Sequence, residues 1–364
     1  MNAPPRDHKV SVELLVDFAD RIDVRSPAEF ADDHIPGAVS APVLDNAERA
    51  RIGMLHAQDS AFAAKRSGAA LVARNIATML ETTFADQPRT WTPLVYCWRG
   101  GKRSEALAHI LNEIGWRAVQ LDGGYRAYRR QVVVQLTTLP SRFRFEVICG
   151  LTGSGKSRLL AALAAEGAQT LDLEALAKHR GSLLGDLPND SQPSQKGFET
   201  QLCAALAGFD AARPVYVESE SRRIGTVQLP DAMLDAMRGA ECIRVDTPQP
   251  LRVELLKDEY AHFLADPAAL SSRLARLVPL HGRKTIDCWE EAAAAGNWET
   301  LVGELLVCHY DPMYTRSIAK NFPNVVNALV VSPTVITDRA FRGIAREIEI
   351  EVGARRNASA AVAA

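Results

Sequence analysis

Eight residues constrain this chain more than any others: Gly150-Leu151-Thr152-Gly153-Ser154-Gly155-Lys156-Ser157. They match G-x-x-x-x-G-K-[ST] in full, with the apolar run Phe145–Cys149 before them and a helical pattern from Lys156 to Ala165 after them. Glycine lets the backbone close tightly, so successive N–H groups converge on one anion, and the N-terminus of the next helix adds positive partial charge. Lys156 can reach a terminal phosphate, and Ser157 can ligate Mg²⁺, a candidate ion here. Gly150, Thr152, Gly153, Ser154, Gly155, Lys156 and Ser157 are therefore the candidate phosphate-binding residues.

What the loop holds is less constrained. In a nucleotide-hydrolysing site a nearby apolar strand ends in Asp and holds the metal. Here Val215-Tyr216-Val217 ends in Glu218, followed by Ser219, Glu220, Ser221, Arg222 and Arg223. A carboxylate at the C-terminal end of a parallel strand is placed for metal, water or substrate. Glu218, Glu220 and Arg222 are candidates for that role, and an ion-paired turn is the other reading of Glu220 and Arg222. Asp172, ending the strand Thr170–Leu173, either holds substrate or metal or caps the next helix.

A second loop carries different chemistry. Val95-Tyr96 delivers Cys97, and Trp98, Arg99, Gly100, Gly101, Lys102 and Arg103 follow before a helix opens near Ser104. Three cations and a helix N-terminus favour the thiolate. A loop bent around the sulfur aims N–H groups at it and can hold a further anionic atom, as in a persulfide-like group carrying sulfur or selenium. Cys149, Cys203, Cys242, Cys288 and Cys308 lack that setting, and no spacing suggests zinc or a disulfide framework.

The chain of 364 residues is long enough for two domains, and 47% apolar with 24% charged residues suits two folded cores. Short strands alternate with helices throughout: Ile22–Val24, Pro93–Cys97 and Val119–Leu121 in the first half, with Pro214–Glu218, Cys242–Val245 and Val325–Val331 in the second. Helices are expected over Pro27–Asp32, Ala61–Phe84, Ser104–Ile114, Glu199–Phe209, much of Leu251–Leu277 and Trp289–His309, and from Asp338 onward. That alternation predicts α/β domains with parallel sheets. The expected layout is a domain over 11–136, a linker over 137–144, a domain over 145–352 with helical insertions, and a flexible tail over 353–364. No apolar run is long enough to span a membrane, and the first ten residues have no secretory apolar core, so a reducing cytoplasmic setting is expected. A net charge of −2 gives no global attraction to polyanions, so any such partner must use local basic patches.

The Cys97 loop resembles the active-site loop of rhodanese domains. Asp23-Val24-Arg25-Ser26-Pro27, His34-Ile35-Pro36-Gly37-Ala38 and Leu121-Asp122-Gly123-Gly124-Tyr125 resemble motifs of the same fold. A rhodanese-like domain followed by a P-loop NTPase-like α/β domain with extra helices resembles the bacterial tRNA 2-selenouridine synthase family, from about Val12 to Glu349. His179-Arg180-Gly181-Ser182, Gln192-Pro193-Ser194-Gln195 and His309-Tyr310-Asp311-Pro312-x-Tyr314 carry the resemblance further.

The resemblance implies a transferase acting on wobble 2-thiouridine in the tRNAs for Lys, Glu and Gln. Sulfur would be exchanged for selenium through an S-geranylated uridine, with geranyl diphosphate and selenophosphate as substrates and no tightly bound cofactor. Cys97 would be the catalytic residue, attacking the uridine carbon, receiving selenium or holding the departing group. A selenophosphate-supplying enzyme is a candidate partner, and no membrane is involved. Geranyl diphosphate needs an apolar groove, for which Leu251–Leu306 has the residues, although they serve equally as core. RNA needs phosphate contacts. Arg126, Arg129 and Arg130, Arg142 and Arg144, and Arg273, Arg276, Arg283 and Lys284 are the candidates. Trp98 either stacks on a base or packs. Two other readings compete: an ATP-dependent kinase or ligase fed by a sulfur-carrying domain, and a binding module without chemistry.

Overall fold

The short apolar runs of each half pair in parallel, in two separate sheets. The structure is a computed structural model that describes residues 9–363 except 59, 183, 188, 189, 262 and 264–266. Two compact units result. One contains the residues up to Leu136 together with Pro193–Ala204, and the other contains Thr137–Gln192 with the residues from Ala205 onward.

In the first unit β1 (Lys9–Val10), β2 (Arg21–Asp23), β3 (Ala38–Ser40), β4 (Leu94–Tyr96) and β5 (Val119–Leu121) are ordered β1-β5-β4-β2-β3, all parallel. In the second, β6 (Phe145–Gly150), β7 (Gln169–Leu171) and β8 (Val215–Glu218) join two later strands. Between them lies a small antiparallel ribbon of β9 (Arg223–Ile224) and β10 (Val227–Gln228). The later strands are β11 (Glu241–Val245) and β12 (Leu329–Val331), giving the parallel order β12-β11-β6-β8-β7. β4 and β6 lie inside their sheets, and every residue of each is buried, as expected where both faces are covered. Ligands of such sheets bind beyond the C-terminal ends of the strands. Cys97 follows β4, the glycine-rich loop follows β6, and Glu218 ends β8 directly beside it.

Local chemistry explains several helices. Pro27–Asp32 opens with Pro, and its Glu29 carboxylate accepts the Ser26 backbone N–H at 3.0 Å. Lys102–Ile114 stops at Gly115, whose φ of +107° suits glycine. The expected Ala61–Phe84 helix is Ala61–Glu81, and a separate helix, Asn46–Gln58, precedes it. The stretch expected as linker, 137–144, holds the end of the helix Gly124–Thr138 and the turn Pro140–Arg142 before β6. The expected strand Val325–Val331 shortens to Leu329–Val331, because Pro323 starts a tight turn through Asn327. The stretch expected as tail continues the closing helix, Asp338–Ala363, in which Val352 is buried and Glu351 pairs with Arg355. The helices Gly124–Thr138, Asp231–Arg238 and Asp311–Asn321 had no counterpart in the sequence pattern.

Pro193–Ala204 packs with the first unit although it follows β7 in sequence. Lys196 pairs with Asp32 at 2.6 Å, the Thr200 hydroxyl donates to Asp33 at 2.9 Å, and Glu199 pairs with Arg129. Among the described residues no helix is long and apolar enough to cross a membrane.

Candidate active site

β4 delivers Cys97 to the C-terminal edge of the first sheet. The chain then turns back at Gly100, where φ is +62° and a Cβ would lie 2.5 Å from the Leu121 carbonyl oxygen. The Gly101 N–H donates to Cys97 Sγ at 3.2 Å, and the Ser104 hydroxyl donates to it at 3.2 Å. Gln120, from β5, donates to Ser104 Oγ at 2.7 Å. With that lone pair engaged, the Ser104 proton is left for Cys97 Sγ or the Gly101 carbonyl. Burial opposes the thiolate. The Ser104 hydroxyl and the N–H groups of Ser104, Gly101 and Arg99 outweigh it and hold the thiol below its ordinary value.

The cleft above Cys97 has a volume of about 740 Å³. Arg103 grips Glu29 at 2.7 Å and so ties the loop to the helix Pro27–Asp32. Burial would raise the Glu29 carboxyl, but the Arg103 hydrogen bonds prevail and take it to about 2. Lys102 pairs with Glu105 at 3.0 Å, and Arg99 is exposed. Trp98 packs on Tyr125 at 5.3 Å between ring centroids. Tyr125 lies under the Arg25 guanidinium at 3.9 Å, and Arg25 pairs with Asp23 at 2.7 Å in full burial. Asp23 and Arg25 thus act as framework beneath the loop.

In the second unit the loop after β6 is crowded. Gly153 has φ +73° and Gly155 φ +86°, and a Cβ on them would strike Leu256 and Phe341 at 2.7 and 2.6 Å. Arg252 donates to the Thr152 carbonyl at 2.9 Å and pairs twice with Asp311, at 3.0 and 2.5 Å. The Thr247 hydroxyl donates to the Ser154 carbonyl at 2.7 Å. Lys156 Nζ lies 3.2 Å from the Gly150 carbonyl and 5.9 Å from the Tyr314 ring centre. The motif His309–Tyr314 therefore acquires distinct physical roles. Asp311 braces Arg252, Tyr314 faces Lys156, and His309 instead meets His281 at 3.0 Å.

A phosphate loop implies a divalent cation, and the surrounding residues fit one. Ligand oxygens of Glu174, Glu218 and Glu220 lie within 4.8 Å of one another. Both Glu218 oxygens are buried without a hydrogen-bond partner, and the Ser157 hydroxyl is 3.4 Å from Glu174. Such hard oxygen donors suit Mg²⁺. Burial pushes the Glu218 carboxyl up to about 7 against the pull of Lys156; burial and mutual repulsion raise Glu174, and burial raises Glu220. Glu174 joins this group from the helix Leu173–Ala177, so neither motif announces it. Asp172 caps that helix, accepting the Ala175 N–H at 2.7 Å. Arg222 pairs with Asp231 at 2.5 Å, and neither lines the phosphate cleft.

That cleft, about 220 Å³, is also lined by Arg180, Glu259 and Tyr260, none expected from spacing. Arg180 sits 4.8 Å over the Tyr260 ring. A narrow apolar cavity of about 60 Å³, between Phe263, Leu301, Leu305 and Tyr310, shares Thr152, Leu256 and Tyr260 with the phosphate cleft.

The RNA candidates divide between the two units. Arg126 and Arg130 are exposed on the helix Gly124–Thr138, whereas Arg129 is engaged by Glu199. In the second unit Arg283 pairs with Asp287 at 2.8 Å, Arg144 with Glu146 at 2.8 Å and Arg273 with Asp186, while Lys284, Arg142 and Arg276 are exposed.

Comparison with known proteins places these two loops in one lineage. Residues 13–131 match the family model described as "Rhodanese-like domain", and residues 143–273 match "tRNA 2-selenouridine synthase AAA domain". A curated protein of Aeromonas salmonicida named "tRNA 2-selenouridine synthase" is 32% identical, covering 86% of this chain and 91% of its own length. One of the same name from Nitrosomonas europaea is 35% identical over 71% of this chain and 67% of its own. One from Salmonella newport is 32% identical over 86% and 93%. With shared identity running through both units, this chain belongs to the tRNA 2-selenouridine synthase family.

Proposed function

We propose that this chain makes 2-selenouridine from wobble 2-thiouridine in the tRNAs for Lys, Glu and Gln, by geranylation and then selenation. The observation that carries the geranyl step is the shared wall. Thr152, Leu256 and Tyr260 border both the phosphate cleft and the apolar cavity, as a ligand with an anionic head and an apolar tail requires. At about 60 Å³ the cavity admits a ten-carbon chain only as its side chains give way.

In the first step the thiocarbonyl sulfur attacks C1 of geranyl diphosphate. The C–S bond forms, the C–O bond breaks, the N3 proton passes to water, and diphosphate leaves toward the phosphate loop. Lys156 and the loop N–H groups neutralise the charge on that leaving group. Mg²⁺ held by Glu174, Glu218, Glu220 and Ser157 would supply further neutralisation. Alkylation makes the sulfur a good leaving group. In the second step the selenium of selenophosphate displaces geranylthiol, which departs with a proton. Water then takes the phosphoryl group, leaving 2-selenouridine and phosphate. Cys97, with its thiol poised below the ordinary value, serves this selenium step.

The test is to mix protein and thiolated tRNA with each donor singly and together, then weigh the digested nucleosides by mass spectrometry. Geranylthiouridine with geranyl diphosphate alone, and selenouridine with both donors, is the expected result. No mass change on intact thiolated tRNA would overturn the reading, and tRNA-stimulated ATP turnover would then favour the kinase or ligase.

A further inference from the structure

We infer that the Cys97 cleft is the subsite for an RNA nucleotide, and that Lys196 contacts a backbone phosphate there. The inference rests on the tRNA reading above and adds where the RNA is held and by what.

Size and charge both point to this ligand. The cleft holds about 740 Å³, within the range of pockets that enclose a nucleotide-sized ligand. Arg49, Arg99, Lys102, Arg103 and Lys196 line it, against the carboxylates of Glu29 and Asp32. Both carboxylates are already engaged, Glu29 by Arg103 and Asp32 by Lys196. Arg99 has no ion-pair partner among the described residues, so the cleft keeps an excess of positive charge for a polyanion. Trp98 lines the same cleft with its ring backed by Tyr125, a flat surface on which an unpaired base can stack. The phosphate cleft offers the reverse setting, being narrower and carrying Glu174, Glu220 and Glu259 in its wall.

Lys196 is the component a rhodanese fold would not supply from its own stretch of sequence. It arrives on Pro193–Ala204, which is anchored to the first unit at several points. The Ser194 hydroxyl donates to the Asp32 carbonyl at 2.5 Å, the Thr200 hydroxyl to Asp33 at 2.9 Å, and Glu199 engages Arg129. These anchors hold the backbone of Lys196 at the rim and leave its ammonium in an exposed pair with Asp32. Exposed pairs of this kind are weak, so the lysine can exchange Asp32 for a phosphate at little cost.

The experiment uses the full chain and a fluorescent anticodon stem–loop bearing 2-thiouridine. Two quantities are read: affinity as a function of KCl concentration, and the rate of Cys97 alkylation by iodoacetamide, followed by peptide mass spectrometry. The RNA is expected to slow Cys97 alkylation in the parent protein. Lys196→Gln should bind several-fold more weakly, with a salt slope shallower by about one unit and with less protection. Lys196→Arg, which keeps the charge, should restore both. Lys320→Gln, removing an exposed cation of the second unit, should change neither. RNA that binds without protecting Cys97, or a slope flattened equally by Lys320→Gln, overturns the subsite and leaves the proposed function standing. Protection of Cys97 by inorganic phosphate but not by RNA also overturns it, making the cleft a small-anion site. No RNA binding by the parent protein would sink the proposed function itself.

Discussion

Cys97 and Lys156 occupy equivalent places in their units. Each belongs to a glycine-rich loop that leaves a buried inner strand of a parallel sheet and opens a helix, with Cys97 at the strand end of its loop and Lys156 at the helix end. Their surroundings differ in sign. Around Cys97, cations outnumber carboxylates, and the loop's hydrogen bonds hold the thiol below its ordinary value. Around Lys156, four glutamates gather near a single loop lysine and Arg180, and burial raises their carboxyls above the ordinary range. The first site can receive a polyanion directly. The second sets carboxylates against any phosphate, a repulsion that a bound cation would relieve. One backbone device thus serves two chemistries, and the loop's own side chains together with those brought in from other elements decide which.

The comparison breaks most decisively at the two loop residues. Cys97→Ser should remove selenouridine entirely while geranylthiouridine still forms and tRNA still binds. Lys156→Ala should lower kcat/KM for geranyl diphosphate by about a hundredfold, the scale seen when a preorganised charge-stabilising donor is lost. If nucleoside analysis shows both variants failing at the same step, the division of labour between the sites is wrong.

A smaller effect sharpens the electrostatic contrast. Glu218 holds its proton more tightly folded than unfolded, with a folded value of about 7. Its contribution to stability is therefore fully present below the unfolded value of about 4.5 and is lost as pH rises through about 7. Metal-free protein should lose melting temperature across that window, and Glu218→Gln should flatten the loss. Added Mg²⁺ at pH 8 should raise the melting temperature of the parent protein but not of the variant. Identical melting curves for the two, with and without Mg²⁺, would take Glu218 out of the cation site.

The smallest expected change lies beneath Cys97. Ser104→Ala removes a hydrogen bond to the thiolate and should raise the midpoint of the alkylation pH profile by about one unit. Gln120→Leu acts only through Ser104 and should raise it less. A larger shift for Gln120→Leu than for Ser104→Ala would contradict that chain of hydrogen bonds.

Much of this was legible in the sequence where strand, loop and helix are contiguous. Val119–Leu121, Lys156–Ala165 and the start of the closing helix at Asp338 stand where periodicity places them. Partners from distant segments were not legible. Glu174 looks like an ordinary acidic residue in a first helical turn until β8 brings Glu218 beside it. Gln120 looks like the exposed face of an alternating strand, yet it is buried against Ser104. A buried polar residue in an apolar strand was the one available signal, and it can be recognised only once burial is known.

The sequence by itself determined that this chain carries two anion-directed loops on two parallel α/β sheets, because such loops are local objects. A few contiguous residues set their turns, their N–H directions and the helices that follow. Only the tertiary structure decided that Pro193–Ala204 joins the first unit, that Arg252 and Asp311 brace the phosphate loop, and that an apolar cavity shares its wall. Those outcomes depend on which distant side chains can bury apolar surface and satisfy buried charge together. That is a property of the whole packing, and no local spacing encodes it.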